Sequence, residues 1–172
     1  MENITREILK DSFREAEAQA VYSVIKSDPL GFAKRFIYDD DPHVARNALW
    51  VLTKATDEEL SGLQAIYNEL IDLAMSTEQS AVRRLSLNIV ERLTMNEEEI
   101  RTDFLDFCME HAVDIEEFPG TQTLCMKLAY RMSQFYPELM GEFKRTLEAM
   151  QIEYYKAAVK GLRTKILSGK MK

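Results

Sequence analysis

Val44-Ala45-Arg46-Asn47-Ala48-Leu49-Trp50-Val51-Leu52 is followed, 38 residues later, by Val82-Arg83-Arg84-Leu85-Ser86-Leu87-Asn88-Ile89-Val90, and a Val, an Arg, a small residue and the aliphatics coincide. A weaker third copy runs from Thr121 through Leu124, Cys125, Met126 and Leu128, at an offset of 39. In each copy apolar residues recur at three and four, the spacing that gathers them on one face of an α-helix. A period of about 40 residues holds two helices and a turn, and units of that size bury their apolar faces by stacking on one another.

Outward from these segments, helix starts are marked by their caps. Asp28 before Pro29 and Asp41 before Pro42 place an acceptor ahead of a proline at the first helical position, where a missing N–H costs nothing. Thr56 with Glu59 and Ser76 with Gln79 have capping-box spacing; Asn96 ahead of Glu97, Glu98 and Glu99 sets acids on a positive dipole end; Tyr136-Pro137 marks another start. The apolar stripes Ile4, Ile8, Ala16, Ala20, Val24, then Leu60, Leu63, Tyr67, Leu70, Ala74, then Ile100, Phe104, Phe107, His111 complete the pattern. Together they predict about eight helices, roughly at 3–26, 29–38, 42–55, 57–75, 78–94, 97–113, 121–135 and 138–167, the last able to bend near Gln151 or Gly161. Short loops make consecutive helices antiparallel neighbours.

The composition agrees. With 172 residues, 46% hydrophobic and 30% charged, the chain can bury one substantial core, so one domain is expected: an N-terminal helix in 1–28, repeats over 29–150, and a C-terminal helix with a basic tail over 151–172. Cys108 and Cys125 have no paired-finger spacing and suit a reducing cytoplasm. No leader and no apolar run of about 18 residues is read, so no membrane partner is expected. The net charge of −7 conceals a split, because Lys156–Lys172 carries six bases and no acid. Ser168, Gly169 and Lys170 continue no apolar stripe, so the end of the chain is expected to be dispensable for folding.

Asp41-Pro42 with Val44-Ala45-Arg46 and Ala48, then Val82-Arg83-Arg84 and Ser86, resemble the HEAT-repeat pattern of Asp-Pro, Val-Arg and a small residue opening the second helix of each pair. The resemblance covers about 29–150. It implies an all-α, right-handed α-α superhelix of HEAT-like or armadillo-like helix pairs, second helices lining a concave surface, in a family that works by protein interaction.

No catalytic constellation is read. Cys108 and His111 lie three apart with no third ligand converging, so no metal and no cofactor are expected. The carboxylate runs fall mostly at helix starts, where the dipole explains them, and the methionines fall mostly on apolar stripes. The informative feature is charge: the second helices (42–55, 79–95, 121–135) sum to +6 and the first helices (57–75, 97–117) to −13. Within the second helices Arg46, Trp50 and Lys54, then Arg84, Asn88 and Arg92, then Lys127 and Arg131 point away from the apolar stripes. These eight residues are the expected partner-binding set, its partner an acidic or extended protein segment. Nucleic acid is the alternative partner: Val44 to Trp50 distantly resembles the Val-Arg-Lys-Ala…Trp helix of HEAT-like bacterial DNA-alkylation-repair glycosylases. Ala45 replaces an Arg of that motif, and the family's second, Asp-paired Trp has no counterpart, since Trp50 is the single Trp.

Overall fold

Each of the four prolines opens a helix. Pro29, Pro42, Pro119 and Pro137 are the first residues of α3 (Pro29–Phe36), α4 (Pro42–Leu52), α9 (Pro119–Ser133) and α10 (Pro137–Glu148). Asp28 Oδ1 accepts from the Gly31 amide at 3.0 Å and Asp41 Oδ1 from the His43 amide at 2.9 Å, as cap chemistry requires. Thr56 and Glu59 close a reciprocal capping box at the start of α5 (Asp57–Leu60). The remaining helices are α1 (Arg6–Lys10), α2 (Glu15–Ile25), α6 (Tyr67–Ser76), α7 (Ser80–Arg92), α8 (Thr102–Val113) and α11 (Ala157–Leu167). The structure, a computed structural model, describes residues 3–171, and among these no strand occurs. Lys172 of the basic tail lies outside the described residues.

The chain divides between Thr94 and Met95 into two compact units. In the first, α4 is the central helix, packed by α1, α2, α3 and α7. Val44, Ala45, Asn47, Ala48, Leu49, Val51 and Leu52 of α4 are buried, and beyond its exposed first turn at Pro42 and His43 the outer side carries Arg46 and Trp50. In the second, α9 takes the central place against α8, α10 and α11, burying Leu124, Cys125, Met126, Leu128, Ala129 and Met132.

Four of the expected helices are interrupted or shortened, each at a contact or backbone feature that can be named. The segment 3–26 breaks into α1 and α2 because buried Asn47 donates to the Leu9 carbonyl at 2.6 Å, and Phe13 turns edge-on to Trp50. The break also shifts the register. Ile4 is buried as the stripe requires, and Leu9, Ala18 and Val21 are buried with it, whereas Ile8 is 43% exposed and Ala16 and Ala20 face solvent. Between α5 and α6 residues Ser61–Ile66 form a 3-10 stretch, matching Leu60, Leu63 and Ile66 at intervals of three, all buried. The predicted Ser76–Gln79 box is absent: Ser76 ends α6, and Thr77 accepts from the Gln79 amide instead.

Glu97–Glu99 make one 3-10 turn and Asn96 forms no side-chain cap, so α8 starts only at Thr102, with Arg101 bonded to Asp103 at 2.8 Å. The last predicted helix stops at Glu148. A 3-10 turn at Ile152–Tyr154 follows, and the Tyr155 hydroxyl donates to the Val113 carbonyl at the end of α8. Arg163 Nε then donates to the Leu147 carbonyl at 2.7 Å, capping α10 from α11. The bend falls at Gln151, and Gly161 stays inside α11.

The end of the chain, expected to be dispensable for folding, closes in a turn and meets α9. Gly169 has φ +76° and closes a Schellman turn, its amide on the Ile166 carbonyl and the Lys170 amide on the Lys165 carbonyl. Tyr130 Oη donates to the Met171 carbonyl at 3.3 Å. Gly169→Ala forces a Cβ into the left-handed region at a cost of about 1 kcal/mol. The melting temperature is therefore expected to drop by roughly 2–4 °C; a circular dichroism melt identical to the parent's would show that the turn is not needed.

Ion pairing ties α1 to the loop before α4. Arg6 meets Asp39 through Nε at 2.7 Å and Nη2 at 2.8 Å. These bonds, with a further one from the Asp41 amide, hold the Asp39 carboxyl at about 2, below its ordinary 3.8. A depressed acid stabilises the fold above its unfolded-state value and loses that contribution as pH falls through the folded value. Between about pH 4 and pH 2, Asp39→Asn is therefore expected to show a shallower fall in melting temperature than the parent. Parallel curves would exclude Asp39 as a source of acid lability.

Candidate interaction face

α4 and α7 lie side by side in the first unit, and their outer residues enclose a cavity of about 410 Å³. Arg46, Trp50 and Thr53 line it from α4; Arg84, Leu85 and Asn88 line it from α7. Four of the eight residues expected to bind a partner are thus brought together.

Their environments differ. Arg84 is exposed. Arg46 is half-buried and donates from Nε to the Asn47 amide oxygen at 3.2 Å, a neutral acceptor. Among the described residues no carboxylate pairs with either guanidinium. Half-buried Trp50 meets Phe13 edge-on at 5.8 Å between ring centroids and carries the Lys54 ammonium 5.5 Å above its ring. The indole is therefore neither a core residue nor a free surface ring, but one wall of the cavity.

Lys54 and Arg92 are engaged elsewhere. Lys54 Nζ bonds Glu15 at 2.5 Å with only 18% of its side chain exposed, and that bond, ahead of one from Gln19, lowers the Glu15 pKa. Arg92 turns to the end of α4, with Nη1 on the Thr53 carbonyl at 3.1 Å, Nη2 on the Ala55 carbonyl at 2.5 Å and Nε on Asp57 at 2.9 Å. The sequence places Arg92 among the outward charges; these bonds hold it instead against the end of α4. Arg83 does the same for α6, donating to the Ala74 and Thr77 carbonyls. Lys127 and Arg131 stand one turn apart on α9, half-buried, in the second unit.

The second unit holds the remaining candidates. Cys108 is fully buried beside Cys125, and burial first, then that neighbour, pushes its thiol well above the usual range. His111 stacks on Phe107 at 4.0 Å and places Nδ1 2.7 Å from Glu117. Among the described residues no group of three or more His, Cys, Asp or Glu is placed to hold a metal ion. No described helix is long and apolar enough to cross a membrane.

Sequence reasoning overlooked the apolar surface of this unit, where Ile115, Phe118, Ile152 and Tyr154 are exposed. Its signal was available in the large apolar residues of the two segments that flank α8 and α10, which the periodicity had absorbed into loops and a helix. Compared with known proteins, the chain matches a family model described as a HEAT repeat domain over residues 5–170. No curated protein and no solved structure matches it.

Proposed function

The chain belongs to the HEAT repeat family, whose repeats generally mediate protein–protein interaction or scaffolding, and on that premise we propose that it is a non-catalytic module binding an acidic, extended protein segment on the α4/α7 face. One observation carries the reading: Arg46 and Arg84, neither paired with a carboxylate, line one cavity with an indole wall. Two guanidinium forks favour carboxylates geometrically as well as by charge. Trp50 adds apolar contact beside them, and aromatic and Arg residues are the common anchors of interfaces. The buried free thiols suit a reducing cytoplasm, where we place the activity.

The single Trp makes the test direct. A synthetic peptide alternating Glu and Gly with one Phe is titrated into the full chain while indole emission is followed. A saturable change is expected, absent when Lys replaces every Glu of the peptide. Equal responses to both peptides, or none, would overturn the reading. A duplex DNA giving the stronger response, with affinity falling steeply with salt, would favour the nucleic-acid alternative.

A further inference from the structure

The second unit carries an apolar hollow of about 430 Å³, lined among others by Val113, Ile115, Ala149, Met150, Tyr154 and Tyr155. Its size lies within the range of about 300–1,000 Å³ that holds ligand-sized groups. Single exposed apolar residues are ordinary on a protein surface. Here Ile115, 55% exposed, and Tyr154, 62% exposed, open onto one hollow, and Phe118 and Ile152 stand exposed in the same two segments, 114–118 and 149–156.

The hollow is built rather than incidental. Residues 149–156 contain neither Pro nor Gly, yet the chain leaves the helix there. The Tyr155 hydroxyl on the Val113 carbonyl holds the resulting loop against the end of α8, and Met150 and Tyr155 are each only 9% exposed. A continuous helix would satisfy its own backbone; the interruption instead leaves Ile152 and Tyr154 in water. Departures from local preference of this kind concentrate at functional surfaces.

Charge indicates what fits. Asp114 separates the lining residues Val113 and Ile115, and exposed Glu116, Glu148 and Glu153 adjoin lining residues in the chain. α8, which ends at the hollow, carries exposed Asp103, Asp106 and Glu110, while Arg145 and Lys156 are the bases next to lining residues in sequence. We propose that this hollow is a second docking surface, taking a cationic amphipathic helix of a partner protein. Its apolar stripe covers Ile115 and Tyr154, and its lysines or arginines meet Asp114, Glu116 and Glu153. This is helix-in-groove recognition with acids at the edge.

The test uses the full chain and a fluorescein-labelled synthetic helix of Ala, Leu and Lys with one leucine stripe, followed by anisotropy at about 0.15 M salt, where weak long-range attraction is screened. Saturable binding is expected, weakened about tenfold or more when Glu replaces Lys in the peptide. The double variant Ile115→Ser, Tyr154→Ser should bind about tenfold more weakly with an unchanged melt, because both side chains are exposed. Glu116→Gln with Glu153→Gln should lie between. Reversal of Arg46 and Arg84, which belong to the other unit, should leave this binding intact. Equal affinity for the Lys and Glu peptides, or a serine variant that binds like the parent, would overturn the proposal. So would sedimentation showing a dimer that the serine variant abolishes, since the occupant would then be a second copy of the chain.

Discussion

Arg92→Glu is expected to lower stability by about 3 kcal/mol, from the loss of charge-assisted bonds to helix-end carbonyls. For a chain of this length that corresponds to a fall of roughly 6–12 °C in melting temperature. The last carbonyls of a helix have no intrahelical donor. Arg92 supplies donors from 37 and 39 residues away, to Ala55 and Thr53, with its side chain 20% exposed. Its contact with Asp57 contributes little, because that carboxylate is 80% exposed and screened. The carbonyl bonds dominate, and a glutamate there faces two oxygens and Asp57 with no donor to offer. Arg92→Lys keeps the charge but not the fork, so an intermediate melt is expected. Arg84→Glu, two turns earlier on the same helix and exposed, should change stability by no more than about 0.5 kcal/mol. A parental melt for Arg92→Glu would mean that water serves these carbonyls equally well.

The same arginine shows where reading the sequence succeeds and where it stops. Periodicity is a statement about neighbours three and four apart, so it identified Arg46 and Trp50 as the outer side of α4 and Arg84 and Asn88 as that of α7. Caps are equally local, and Asp28, Asp41 and the Thr56–Glu59 pair form as their spacing implies. What failed was non-local. Asn47 reaches the Leu9 carbonyl 38 residues away and breaks the first helix; Tyr155 reaches Val113 and breaks the last. Nothing in spacing distinguishes a guanidinium destined for solvent, as in Arg84, from one that closes the end of another helix, as in Arg83, Arg92 and Arg163. Counting bases by helix therefore overstated the charge left for a partner.

The charge that Arg46 and Arg84 present has the largest expected consequence for binding. With both changed to Glu, affinity for the acidic peptide is expected to fall about 100-fold or more, or roughly 2.7 kcal/mol. The change removes two attractive forks and sets two carboxylates on a cavity whose ligand is itself anionic; like-charge juxtaposition costs more than simple loss of contact. Folding should survive. Arg84 is exposed, and Arg46 contributes one bond to the Asn47 oxygen while the buried Asn47 bond to Leu9 is left in place. The corresponding Gln variants should fall between, since they lose attraction without adding repulsion. Trp50 reports each titration without a label, and anisotropy of a labelled peptide separates lost binding from a change in the indole's surroundings. Should the doubly reversed protein melt like the parent and give the parental titration curve, the α4/α7 face is not the binding surface, whatever the family's general habit.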